Sequence, residues 1–197
     1  FARRWFVRGL VVLLLSMSVA LAVEPAERLA KAKQLLFIGD AINHFASGTA
    51  RNEVSLASTS QLYNPQTRTW SKKIFSALKL REEMFAPICD SGTKLGPLKK
   101  NLCSETGSAP MEVIATCSHD TGAAVAAVPA AGENWAYLSS GTWSLLGLEL
   151  PAPILSDRCR TLNFTNEIGF GGTVRLLKNI VGLWLVQECR RSWARAG

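Results

Sequence analysis

Residues 113–117 (Val, Ile, Ala, Thr, Cys) form an apolar β-type run that stops at a polar cluster, Ser118, His119, Asp120 and Thr121. Small residues follow, Gly122, Ala123 and Ala124 among them, a composition that suits a helix packed closely on its neighbours. That order delivers Asp120 to the place where a strand ends and a helix N-terminus begins. Open α/β sheets bind ligands in the crevice at that edge, and a helix N-terminus keeps a carboxylate ionised. The pattern points to an α/β chain with Asp120 at its working edge.

After a loop containing Gly132, residues 134–140 and 142–150 read as two strands of a hairpin around Ser140 and Gly141, ended by Pro151 and Pro153. Backbone N–H groups and hydroxyls of Ser139, Ser140, Gly141 and Thr142 could cradle a phosphate. Alone, an Asp at a helix start is an N-cap and a Ser-Gly turn between apolar runs is a hairpin turn. Together, one carboxylate base and one glycine turn form a plausible phosphoryl-transfer pair. A hydrolase triad of Ser118, His119 and Asp120 is excluded on geometry, because three consecutive residues cannot line up as nucleophile, base and orienter.

The chain has 197 residues, enough for one domain or two small ones, and its 48% apolar content is ample for a core. Lys and Arg number 22 against 15 acidic residues. Arg3, Arg4 and Arg8 at one end and Arg190, Arg191 and Arg195 at the other account for most of the surplus. With no basic stripe interleaved with aromatics, a nucleic-acid partner is not expected. The five cysteines show no C-x-x-C spacing, and His44 and His119 are the only histidines, so no protein metal site is expected. Widely spaced cysteines in odd number suit reduced thiols.

Residues 1–23 differ from the rest. Arg3, Arg4 and Arg8 precede an apolar run over 10–23, and Ala20, Leu21 and Ala22 supply small residues of the A-x-A kind. This is a signal-peptide layout, too short for a comfortable membrane span. Three origins stay open: a mis-joined or rearranged reading frame, a genuine signal or anchor, or a buried helix of a divergent domain. Membrane contact is expected only in the second case.

From Glu24 the periodicity becomes helical. Residues 25–36 begin with Pro25 and carry apolar residues at helical spacing. A helix is expected from Asp40 through His44 and Phe45, a turn over 63–67, and an amphipathic helix over 70–80 with Ile74, Phe75, Leu78 and Leu80 inward. His44 on such a face reads as a packed or surface histidine. Residues 86–110 are loop-rich, with Pro87, Gly92, Gly96, Pro97 and a basic pair at Lys99 and Lys100. Residues 169–172 read as a turn. Over 174–193 a strand end leads into a helix, with Leu176, Leu177, Ile180, Val181, Trp184, Leu185 and Glu188 on one face and Asn179 and Gln187 as polar positions on that helix.

Residues 118–121 (SHDT), 137–144 (YLSSGTWS) and 177–185 (LKNIVGLWL) resemble the rhamnulokinases, a branch of the FGGY carbohydrate kinases, and the resemblance runs from about residue 24 to 193. It implies an actin/hexokinase-like (ribonuclease H-like) ATPase fold, incomplete, covering the junction of its two domains, with a Thr/Ser-rich helix over 52–62 and a short strand over 93–98. Residues 24–132 would be the C-terminal part of the sugar-binding domain and 133–197 the start of the ATP-binding domain, with 1–23 extraneous. It further implies Asp120 as catalytic base, and His119, Asp120, Thr121 and Asn179 as sugar contacts. Gly141 and Thr142 would hold ATP phosphates, Gln187 would position the nucleotide, and Mg²⁺ would travel with ATP. The implied reaction is phosphorylation of a ketose, L-rhamnulose by the wording of the motifs, in the cytoplasm; xylulose, fuculose or glycerol remain alternatives within the family. The first phosphate loop and the adenosine-binding segment of the family pattern are absent from these residues, so the 197-residue polypeptide alone is expected to phosphorylate nothing. The competing expectation is an inactive exported or membrane-tethered remnant.

Overall fold

The computed structural model describes residues 10–12, 30–132 and 134–196. Within the apolar N-terminal run, Leu10–Val12 is a strand, β1, paired in parallel with Gln34–Leu36 (β2); the remaining residues of the signal-like segment lie outside the described residues. Among the described residues, no helix is long and apolar enough to cross a membrane.

The chain divides into two units, Phe1–Asp120 and Thr121–Gly197. In the first, Ala30 and Lys31 are helical as expected, and β2 corrects the rest of the helix expected up to residue 36. Leu35 and Leu36 are 1% and 0% exposed, and Leu35 also bridges Phe85 in parallel. Two adjacent leucines buried this fully suit a central strand flanked on both sides, whatever their helix propensity. Residues 25–29 lie outside the described set.

Helix α1, Ile38–Ser47, follows and is closed by Gly48 at φ +87, whose N–H returns to the His44 carbonyl. Left-handed backbone at a helix end is where glycine carries no Cβ penalty. Next come Asn52–Glu53 (β3) and helix α2, Val54–Thr59. The helix expected over 52–62 is therefore shorter, because Asn52 and Glu53 pair in parallel with Ile88–Cys89 (β6). Tyr63–Asn64 (β4) and Thr69–Trp70 (β5) form a hairpin around the expected turn. Helix α3, Lys72–Ala77, starts at Ser71, whose hydroxyl accepts the Ile74 N–H. Phe75 is buried, and Ile74 and Leu80 pack beside it, but Leu78 is 51% exposed and not inward as expected. The helix ends before it.

The main core of this unit is Leu35, Leu62, Phe75, Met84 and Phe85, with Trp70 against it. Phe75 and Phe85 have ring centroids 4.5 Å apart, and Trp70 lies 5.3 Å from Phe85, within the range of favourable aromatic pairs. Lys94–Pro97 (β7), the expected short strand, pairs antiparallel with Glu112–Ile114 (β8). Helix α4, Lys100–Thr106, lies between them in sequence. The apolar run of 113–117 leaves the ladder after Ile114, yet Ala115 and Cys117 remain buried, Ala115 in a cluster with Cys89 and Leu95.

Helix α5, Asp120–Ala126, begins at the expected acid. The second unit is a four-stranded antiparallel sheet in the order β11-β12-β10-β9. Its strands are Tyr137–Ser140 (β9), Trp143–Leu150 (β10), Thr165–Ile168 (β11) and Val174–Val181 (β12), with helix α6, Asp157–Thr161, before β11. The β9–β10 hairpin and its end at Leu150 stand as read from the sequence. Val125, Tyr137 and Leu177 form its core with Trp135 and Leu145 packed against them. Arg175, 0% exposed, faces Glu167 across the β11–β12 ladder at 2.9 Å. Burial pushes the Tyr137 hydroxyl up to about 12, against the lowering effect of the nearby Arg175.

Residues 174–181 are strand throughout, so the helix begins only at α7, Trp184–Ala196. The helical face expected over 176–188 is corrected accordingly. Leu176 and Leu177 are buried in the sheet, while Trp184 and Leu185 are exposed.

Candidate functional site

In the first unit, the segment that carries His119 and Asp120 is held by a buried carboxylate. Glu53, 0% exposed, is the N-cap of α2 and accepts the Ser55 N–H at 3.1 Å. It also accepts the Ser55 hydroxyl, the Ser91 hydroxyl at 2.6 Å and the Ser118 N–H at 3.1 Å. Four donors on one ionisable group supply the hydrogen bonds that a buried charge requires. Ser55, itself 0% exposed, passes the network on, for its Oγ accepts the His119 N–H at 3.0 Å. Two successive backbone amides, those of Ser118 and His119, are thus tied to the start of α2.

The same segment is crowded from α1. A Cβ on Gly39 would lie 3.2 Å from Ser118 Cβ. Next to Gly39, Asp40 is buried and its Oδ1 accepts the Glu53 N–H at 3.1 Å. Its Oδ2 is buried with no hydrogen-bond partner. Burial pushes this carboxyl up to about 7, the Glu53 N–H opposing and the Glu53 charge reinforcing the rise.

His119 and Asp120 stand at the end of this scaffold. His119 Nδ1 lies 3.7 Å from Asp120 Oδ1, with the histidine side chain 20% and the aspartate side chain 99% exposed. The backbone beneath the acid is fixed while its carboxylate meets solvent. Thr121, the next residue of α5, opens the second unit.

In the second unit the hairpin bend and the start of α7 are tied together. The Gly141 N–H turns inward to the Trp143 carbonyl at 3.0 Å. The Gly141 carbonyl accepts the Leu183 N–H at 2.8 Å, and that of Thr142 accepts the Trp184 N–H at 3.2 Å. Gln187 Nε2 reaches Thr142 Oγ1 at 3.4 Å. Two residues assigned to one ligand from the sequence are thus side by side, on an exposed edge. Close approach here needs Gly182. A Cβ there would overlap the Gly141 carbonyl oxygen and lie 2.6 Å from Ser144 Oγ.

Asn179 is not on the helix. It is exposed on β12, opposite Leu145 of β10. The apolar residues of 174–181 fit a helical period and a strand period alike, and pairing with β10 along its whole length decides for the strand. Sequence reading missed Glu53 and Ser55. Their signal was an acid followed two residues later by a hydroxyl at the head of a helix, an N-cap pattern whose long-range partner no local rule reveals. No three His, Cys, Asp or Glu side chains converge as metal ligands among the described residues.

Comparisons with known proteins give the class. The model of the FGGY family of carbohydrate kinases, N-terminal domain, matches residues 21–127, and that of the C-terminal domain matches residues 136–197. The chain belongs to the FGGY carbohydrate kinases. Among curated relatives it is 46% identical over 162 residues to the rhamnulokinase of Bacteroides thetaiotaomicron, covering 82% of this chain and 33% of that protein. To the rhamnulokinase of Enterococcus faecalis it is 42% identical over 171 residues, 87% of this chain and 35% of that one. The chain spans about a third of the length of these relatives.

Solved structures agree on the fold. A gluconate kinase from Lactobacillus acidophilus matches with a TM-score of 0.71 at 16% identity, over 87% of this chain and 35% of that one. A ligand-bound xylulose kinase from the same organism matches with a TM-score of 0.67 at 16% identity, over 82% and 32%. The chain carries part of the actin/hexokinase-like fold of these kinases.

Proposed function

We propose that the protein carrying this segment transfers the γ-phosphate of ATP to a hydroxyl of L-rhamnulose, giving L-rhamnulose 1-phosphate, in the cytoplasm where ATP is supplied. Asp120 takes the proton from the sugar hydroxyl as its oxygen attacks the γ-phosphorus. The bond from that phosphorus to the β,γ-bridging oxygen breaks, and ADP leaves. His119, Thr121 and Asn179 hold sugar hydroxyls. Gly141, Thr142 and Gln187 hold the nucleotide, and residues 133–197 begin its domain. Where Mg²⁺ accompanies ATP, it would be held by phosphate oxygens and water rather than by side chains of this segment, and it would supply offsetting charge for the phosphates. Positioning supplies most of the rate in phosphoryl transfer, and the exposed Asp120 must be dried by closure over the substrate.

The observation that carries this reading is the juxtaposition of Thr142 and Gln187, in a segment 46% identical to a rhamnulokinase. Its test is a chimera in which residues 24–196 replace the matching span of the Bacteroides thetaiotaomicron enzyme. Coupled ADP release with L-rhamnulose, abolished by Asp120→Asn, supports the proposal. Preference for xylulose, fuculose or glycerol would refute the sugar assignment, and turnover independent of Asp120 would refute the mechanism.

A further inference from the structure

We propose that Glu53 and Ser55 are positioning residues for the reaction, a buried brace that sets where the Asp120 backbone stands; this rests on the reading of Asp120 as the base. Three observations converge. Glu53 and Ser55 are completely buried. They are not among the residues expected to hold sugar or nucleotide, yet they bind two consecutive amides, Ser118 N–H at 3.1 Å and His119 N–H at 3.0 Å. Those amides immediately precede a base whose own side chain is 99% exposed.

The Asp120 carboxylate, 3.7 Å from His119 Nδ1, stands out in solvent, so the backbone from which it projects sets where it can reach. Glu53 is held in turn from elsewhere, by the Ser91 hydroxyl after β6 and by its own N–H on Asp40 of α1. The brace therefore joins α1, α2, the segment after β6 and the segment after β8 at one charged group. A carboxylate suits the post because it accepts several donors at once, whereas an amide in its place would turn one donor toward donors. Displacement of a reacting group by about 1 Å costs on the order of 100-fold in rate. Loss of the brace is thus expected to appear in kcat and not in nucleotide binding.

The test uses Glu53→Gln and Ser55→Ala. The second variant is smaller and free of charge effects, and it keeps the question answerable if the first does not fold. Ser60→Ala, which removes another buried hydroxyl bonded only near its own helix end, serves as the control. In the chimera described above, each brace variant should lower kcat about 10- to 100-fold, with KM for ATP within about twofold of its parent. The Ser60 variant should keep its kcat. In the 197-residue chain, amide exchange at Ser118 and His119 should quicken at least about tenfold in the brace variants and not in the control. Unchanged exchange at both amides overturns the proposal whatever the kinetics, as does unchanged kcat in folded brace variants. Should the unsubstituted chimera make no sugar phosphate, the kinase reading fails by itself. The exchange rates then still decide for or against the brace.

Discussion

Gln187 Nε2 lies 3.4 Å from Thr142 Oγ1, joining the first turn region of α7 to the bend between β9 and β10. The contact is exposed and long, so its net contribution to stability is below about 1 kcal/mol. Its value lies in geometry, since it holds the two groups proposed to bind the nucleotide on one edge. If both bind the nucleotide, Thr142→Ala and Gln187→Ala should each raise KM for ATP several-fold in the chimera. The double variant should fall short of the product of the two effects, because each single change already disturbs the same pair. Strict multiplicativity in the measured constants would show that they act apart.

Asp120→Asn tests the base most directly. The amide keeps shape and cannot accept the proton, so kcat should fall about 10²- to 10⁴-fold, with KM for ATP little changed. Steady-state kinetics at saturating sugar reads this. A loss confined to KM would place Asp120 in binding alone.

Asp40 gives a pH signature. Its carboxyl rises from an ordinary 3.8 to about 7 on folding because it is buried. Between about pH 4 and 7 the folded chain thus keeps a proton that the unfolded chain has lost. This group's contribution to stability is complete below about pH 4 and is lost as pH rises through about 7, a fall of up to about 4 kcal/mol. Asp40→Asn retains an oxygen to accept the Glu53 N–H and never ionises. Urea denaturation of the 197-residue chain at pH 5 and pH 8 should show a smaller fall in the variant. Equal falls in both proteins would contradict the burial argument.

Gly182→Ala should disturb the bend selectively. The added methyl overlaps the Gly141 carbonyl oxygen and comes within 2.8 Å of the Trp143 carbonyl carbon. Both are backbone atoms, which cannot rotate away. Overpacking of this kind costs about 1–3 kcal/mol, and the shift should also raise KM for ATP. Thermal unfolding together with ATP titration reads the two effects.

Phe75→Ala should cost about 3–5 kcal/mol, because Phe75 is 3% exposed and stacks within the cluster of Trp70 and Phe85. Denaturation monitored by tryptophan fluorescence would detect it through Trp70.

The local signals were read well where one element answers to one rule. The hairpin from Tyr137 to Leu150 followed from two apolar runs around a Ser-Gly turn, and the helix expected from Asp40 through Phe45 lies within α1. Helix α5 starts at Asp120 because small residues follow an acid. Two readings failed for one reason. Leu35 and Leu36 lie in a stretch with helical periodicity, and Leu176, Leu177, Ile180 and Val181 fit a helix as easily as a strand. In both places the partner strand decided, β1 with the Phe85 bridge in one case and β10 in the other. A pairing partner far along the chain leaves no mark in local spacing.

The order of residues alone determined the chemistry on offer: an acid at a strand-to-helix junction, a glycine bend, and glutamine and asparagine downstream. Only the tertiary structure decided that Asn179 belongs to a strand, that Gln187 meets Thr142, and that Glu53 reaches across 65 positions to the Ser118 amide. Side-chain chemistry is a property of each residue. The placement of a buried carboxylate depends on which donors the folded chain can bring to it, since a charge removed from water persists only where enough of them converge.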